Sequence, residues 1–423
     1  MKELDNDSIV ISGMGIVSAA AVGTESFQSF LRSGRSAVLA VPDRGIYAAR
    51  IPERAFKDIL CEAVCGISPE KVKEYNSVVR RMPAGIQYAA AAAAEAYHSA
   101  DIDRITDRKR ISVIGAGSNI FQNYAYMTAE QFKDRPEFVT PSYALQFMDT
   151  NLIGVISRLF NIRGEGFTVG GASASSLAAV VKARQLLAAG YADICLVIGT
   201  VSELGPMECN AFRNLGALIS FSEDIPEGEA CRPFDKAHRG FVLGEAAACL
   251  VLERRSADEL RDGDIILSSA VMSLDANHLS DPTLEGETAV MRDAMADAGI
   301  EPSDIDYINA HGTGTPLGDT IEAKAIEAVF SDENAVVNSD KPLFGHCLNT
   351  AGLCEIISSV IQMKEGFVHG CMNLSEPVST QVHFSPKDGE KRNINYCLKN
   401  AFGFGGINSA CILHRFGGTK VRG

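Results

Sequence analysis

The sequence predicts a layered α/β protein, and three observations carry that reading. Short β-rich runs alternate with helical patterns: Ser8 to Ile11 is followed by Thr24 to Ser33, Ile111 to Ile114 by a later helix, and Ile194 to Ile198 by a polar loop. Gly, Ala and Ser are abundant around these runs, and small residues let helices approach a sheet or one another closely. The stretch from Ser173 to Ala189 reads as one helix, apolar nearly all round, which places it in the middle of the molecule.

Taken in order, the chain opens on Met1, Lys2, Glu3, Leu4, Asp5, Asn6 and Asp7, which lacks the basic, apolar, small-residue order of a secretory signal and points to the cytoplasm. The apolar stretches Ala89 to Ala94 and Leu186 to Tyr191 fall well short of the roughly 20 residues that span a bilayer, so no membrane span is expected. In the apolar helix Leu177, Val180, Val181, Leu187 and Ala188 keep helical rhythm and Gly190 is placed to end it, which leaves Lys182, Arg184 and Gln185 for an edge or a partner. The charged stretch Glu253 to Asp264 interrupts the apolar pattern and divides the chain into residues 1–255 and 256–423. No plain internal repeat is visible.

A chain of 423 residues, 46% hydrophobic and 22% charged, has apolar material for a large core. Its net charge of −14 argues against nucleic acid, which needs a dominant basic surface. Arg80 and Arg81 form a small basic pair that an acidic partner can meet, although a solvated helix end accounts for it better. Eleven cysteines occur without a CxxC pair, and Cys195, Cys249, Cys354 and Cys411 lie in apolar runs where cysteine behaves as a small hydrophobe; neither disulfides nor a zinc site is expected.

Four motifs carry chemistry. His311-Gly312-Thr313-Gly314-Thr315-Pro316-Leu317-Gly318-Asp319 follows the strand-like Ile305 to Ala310, which puts an imidazole at a strand end within a substrate's reach. Lys341-Pro342-Leu343-Phe344-Gly345-His346 leads into a helix containing Glu355; a histidine at a helix start is kept neutral by the dipole, and two neutral N–H donors can hold an oxyanion or enolate. The glycines of Ala401-Phe402-Gly403-Phe404-Gly405-Gly406-Ile407-Asn408 allow close approach of backbone to ligand, with Phe404 as an aromatic gate. Val169-Gly170-Gly171-Ala172-Ser173-Ala174-Ser175-Ser176-Leu177 looks like a nucleophile elbow with Ser173 at its tip, set against the plainer reading of Ser173 as a helix N-cap.

Together these motifs resemble the β-ketoacyl synthase (ketosynthase) family of the thiolase superfamily. The likeness also includes Ser12-Gly13-Met14-Gly15-Ile16-Val17-Ser18, Pro233-Phe234-Asp235-Lys236, and Arg239-Gly240-Phe241-Val242-Leu243-Gly244-Glu245, in the family's order over nearly the whole chain. It implies a thiolase-like α/β/α/β/α sandwich of two pseudo-related halves, the first carrying the elbow and the second both histidines. It also implies a homodimer with no metal or organic cofactor, whose substrate rides on the phosphopantetheine of an acyl carrier protein. Lys341 and Glu355 match the family's supporting lysine and glutamate, and backbone N–H groups of Ser173 and Phe404 match its thioester-orienting donors.

One departure changes the chemistry. Where the family has Thr-Ala-Cys at the elbow, this chain has Gly171-Ala172-Ser173. A cysteine of pKa about 8.5, lowered further at a helix N-terminus, supplies thiolate at neutral pH; a serine needs an adjacent base, and no triad partner is evident in the sequence. Ser173 should be a poor acyl acceptor, while His311 and His346 keep what decarboxylation needs. This pattern resembles the decarboxylating ketosynthases of polyketide β-branching cassettes, which turn malonyl-carrier into acetyl-carrier protein. Two alternatives stay open: a non-catalytic partner subunit like a chain-length factor, and condensation through a Ser173 ester. Gly171 and Ala174 deviate too, which favours a natural over an engineered serine. Asn119 and Met207 fall in regions that line the family's acyl pocket, where larger side chains would suit a short acyl group; ordinary core variation accounts for them equally well.

Overall fold

The computed structural model describes residues 7–277, 279–330 and 335–418; of the opening acidic segment only Asp7 lies among them. Ten strands build the main sheet: β1 (Ser8–Ser18), β2 (Ile111–Ala116), β3 (Gly166–Val169), β4 (Ile194–Gly199), β5 (Ala246–Arg255), β6 (Ile265–Leu274), β7 (Tyr307–Asn309), β8 (Val336–Asn338), β9 (Tyr396–Gly403) and β10 (Ile407–Arg415). Six helices position the site: α1 (Ala84–Ser99), α2 (Thr150–Phe160), α3 (Ser175–Ala188), α4 (Leu284–Ala298), α5 (Pro316–Phe330) and α6 (Ala351–Glu365).

The strand order is β8-β7-β9-β10-β6-β1-β5-β4-β2-β3. Read outward from the β6/β1 join, the two sides repeat each other. On one, β1 pairs antiparallel with β5 and β5 with β4, then β4-β2-β3 run parallel; on the other, β6 pairs antiparallel with β10 and β10 with β9, then β9-β7-β8 run parallel. The repeat that the residues do not show is therefore present in the topology, because topology constrains which positions are buried and not which apolar residue fills them. The two sides meet where Val10 pairs with Ile266.

Helices α1 and α4 take matching places, α1 on β1 and β5, α4 on β6 and β10. Between the two halves of the sheet lie α3 and α6, each touching strands of both, which gives the α/β/α/β/α layering of the expected sandwich. Close approach needs small residues at named points. A Cβ on Gly15 of β1 would come 2.0 Å from the Ala92 carbonyl oxygen of the alanine-rich α1, and one on Gly352 of α6 would come 2.5 Å from Leu177 Cδ1 of α3. The buried, nearly apolar α3 matches its sequence reading with one correction: residues 172–174 form a 3-10 turn and the α-helix begins at Ser175. Gly190, at φ 74, ends it as expected.

The charged stretch Glu253 to Asp264 is the end of β5 and a short turn into β6, held by Arg255 to Glu253 and Asp264. Arg80 follows the helix Pro69–Val79 and faces solvent with Arg81, as a solvated helix end does. Among the described residues no helix is long and apolar enough to cross a membrane.

Candidate active site

The elbow follows β3, His311 follows β7, His346 follows β8 and Phe404 follows β9, so all four motifs converge at the carboxyl ends of parallel strands, where α/β sheets place ligands. They line one cavity of about 620 Å³ that Ser173, His311, His346, Phe402 and Phe404 share. The close fit of the loops is visible at Gly403, where a Cβ would sit 2.5 Å from the Gly171 carbonyl oxygen of the elbow.

The elbow is braced by Ser175, whose hydroxyl accepts from the Gly171 N–H at 2.9 Å and donates to the Ala172 carbonyl at 2.7 Å. Ala172 is held at φ 48, a left-handed conformation that an L-residue adopts only under constraint. The N-cap alternative for Ser173 fails: the cap of α3 is Ala174 with no side-chain bond. Ser173 is half-buried and its Oγ lies 2.9 Å from His346 Nε2. No local pattern around Ser173 signals this partner, which lies far along the chain.

A Ser–His contact activates serine only when the imidazole can accept a proton. Here His346 is held well below the usual histidine range by burial first, then by the Lys341 and Lys399 ammonium groups. Its Nδ1, moreover, has no hydrogen-bond partner among the described residues, so no carboxylate steadies an imidazolium. His311 is lowered in the same way by burial, Lys341, His346 and Lys399; the two rings lie 5.5 Å apart, nearly perpendicular. Both imidazoles are thus neutral N–H carriers, as the sequence reading requires, but for a different reason. The helix dipole is not the cause, since α6 starts only at Ala351, beyond His346.

Lys341 and Glu355 meet as an ion pair with no exposure, and Lys341 Nζ also donates to the His311 carbonyl at 2.7 Å. Burial pulls the Lys341 ammonium down, but the Glu355 carboxylate, together with Asp340 and Glu322, more than offsets it and the lysine titrates above its ordinary value. A second buried lysine, Lys399 of β9, reaches Glu355 Oε2 at 2.9 Å. The His311 loop hangs from two carboxylates of α5: Glu322 accepts from the His311 and Gly312 N–H groups at 2.7 Å each, and Asp319 from those of Thr313 and Gly314 at 3.1 and 3.0 Å. Burial raises Glu322 to about 6 despite these bonds. Lys399 and Glu322 escaped the sequence reading; an Asp-x-x-Glu pair opening a helix right after the Gly–Thr loop was the available signal.

Asn119 lines the cavity. Met207 does not: it is 67% exposed on the helix Pro206–Asn214, and Glu208 and Phe212 of that helix reach the cavity instead. The region expected to line the pocket does reach it, but Met207 itself neither lines the cavity nor packs in the core. The middle motifs prove architectural, with Asp235 accepting from the Ala237, Ser375 and Glu376 N–H groups and Glu245 from Ile51.

Replacing Glu355 with Gln strands two buried ammonium groups. The expected loss of stability is about 3–5 kcal/mol, the usual result of breaking a buried pair from one side. Chemical denaturation of wild type and E355Q checks it.

Compared with known proteins, residues 6–258 match the model of the β-ketoacyl synthase N-terminal domain and residues 265–375 that of the C-terminal domain. The chain is 37% identical to the polyketide biosynthesis malonyl-ACP decarboxylase PksF of Bacillus subtilis, covering 99% of this chain and 100% of that one. It is 31% identical to 3-oxoacyl-[acyl-carrier-protein] synthase 2 of Coxiella burnetii, covering 97% and 99%. Among solved structures, the ishigamide ketosynthase/chain length factor superposes with a TM-score of 0.83 at 26% identity, over 97% of this chain and 100% of that one. With both halves of the family model matched and its motifs gathered around one cavity, this chain belongs to the β-ketoacyl synthase family.

Proposed function

We propose that this protein decarboxylates malonyl units carried on an acyl carrier protein, giving acetyl-carrier protein and carbon dioxide for polyketide β-branching. The observation that carries the reading is Ser173 at the nucleophile position, beside an imidazole too weakly basic to activate it, in a site that otherwise keeps its charged support. The likeness over full length to a relative named as a malonyl-ACP decarboxylase supports it.

In this scheme the thioester oxygen of the malonyl unit lies against the N–H groups of His311 and His346. As the bond from Cα to the carboxylate breaks, the electron pair moves into the enolate and the two donors hold the growing charge. Buried, preorganised donors do this without reorganising water. Ser173 keeps a polar contact at the thioester without trapping the acyl group, and Phe404 closes the mouth. The phosphopantetheine arm of the carrier brings the substrate, and the chemistry requires neither a metal nor a further organic cofactor.

Condensation through a Ser173 ester draws support from the 2.9 Å contact with His346, but the unsupported Nδ1 of that ring weighs against it. A silent-partner role would leave no use for two neutral histidines on a buried Lys–Glu pair. Edge strand β3, the exposed Phe167 on it and the exposed Tyr126, Met127, Phe138 and Leu145 support a homodimer. Sedimentation at micromolar concentration should give a two-chain mass, and a monomer there would count against it.

Intact-mass analysis of malonyl-carrier protein incubated with the enzyme should show conversion to acetyl-carrier protein, lost in H311A and in H346A by roughly 10²–10³-fold each. Because both rings titrate well below the ordinary value of about 6.5, turnover should hold as pH falls through that value. An enzyme that gives no acetyl-carrier protein with any malonyl-carrier sinks the reading.

A further inference from the structure

The decarboxylation just proposed leaves an enolate carbon that must gain a proton, and neither neutral imidazole, each spending its N–H on the enolate oxygen, is suited to deliver it. The cavity holds another candidate outside the family motifs. Glu287, in the first turn of α4, lines the same cavity as Ser173 and both histidines, yet is only 1% exposed. Its Oε2 has no hydrogen-bond partner among the described residues. Among the described residues no basic group acts on it; its charged neighbours there are Asp275 just past β6 and Asp319 and Glu322 of α5. Asp319 and Glu322 hold the His311 loop, and Asp275 accepts through Oδ1 from Thr283 and Asn408 at 2.8 and 2.7 Å while its Oδ2, like Glu287 Oε2, has no hydrogen-bond partner among the described residues. Lys399 acts on Glu322 and is paired with Glu355.

We infer that Glu287, as a neutral carboxylic acid in the cavity wall, donates the proton that replaces the departing carboxyl group; this rests on the decarboxylase reading. Loss of carbon dioxide leaves the electron pair on the enolate. The Glu287 O–H bond then breaks as a C–H bond forms at Cα, giving the acetyl thioester and a Glu287 carboxylate, which regains a proton from solvent. Three surrounding carboxylates favour that return, since burial and then Glu322, Asp275 and Asp319 push the Glu287 acid well above the ordinary carboxylate range. The acid form therefore prevails below its folded pKa and is lost as pH rises through it.

The test is steady-state decarboxylation of malonyl-carrier protein by wild type and E287Q across pH, with circular dichroism on both. Glutamine keeps the shape and a hydrogen-bond donor but cannot release a proton. The expected result is a kcat about 10²-fold lower in E287Q with KM little changed, and an alkaline decline of kcat in wild type that E287Q lacks. An E287Q turnover within about twofold of wild type, where the general-acid contribution should be far larger, overturns the inference and leaves the decarboxylase reading standing. If E287Q does not fold, wild type alone decides: a kcat that stays flat into alkaline pH overturns the inference. A wild type that leaves malonyl-carrier protein intact removes both.

Discussion

Glu355, buried between the ammonium groups of Lys341 and Lys399, is the contact on which the site depends. It joins three separate parts of the chain: α6, the loop that carries His346, and β9, which ends at the Phe404 loop. Through Lys341 it also reaches the His311 carbonyl. Charges this deep are tolerable only when paired and hydrogen-bonded, so the cluster fixes one arrangement of these segments. Burial first, and then the same two cations, make protonation of either imidazole unfavourable, so this buried cluster sets the geometry of the donors and adds to what keeps them neutral.

That electrostatic setting explains why a serine at the elbow redirects the chemistry. A thiol there can ionise with help from a helix N-terminus. A hydroxyl needs a base, and the imidazole that touches it, His346, is one whose surroundings oppose the proton it would have to take. The features that make His346 a good donor to an enolate make it a poor base for Ser173. Substituting oxygen for sulfur thus separates two half-reactions that a shared site otherwise joins.

Much of this was legible in the sequence because the motifs are short and contiguous: the His311, His346 and Phe404 loops, and the elbow, each declare themselves within about ten residues. What stayed hidden depends on contacts between distant segments. Lys399 reads as an ordinary strand residue until β9 places it beside Glu355, and the Ser173–His346 contact spans both halves of the chain. The helix dipole does not act on His346, because a turn and a 3-10 segment intervene before α6, a local detail that Gly345 and the residues after it do not reveal. Near Met207 the sequence marks the region and not the side chain: Glu208 and Phe212 of the same helix face the cavity while Met207 faces solvent. The twofold repeat of the sheet was invisible in the residues and plain in the strand order.

The most direct measurement is a competition in which the enzyme receives malonyl-carrier and acyl-carrier proteins together, with the mass of the enzyme and the products read in parallel. The expected result is acetyl-carrier protein, an unmodified Ser173 and no β-ketoacyl product. A stable acyl adduct on Ser173 together with a β-ketoacyl-carrier protein would contradict the separation of decarboxylation from condensation and show that the serine still condenses.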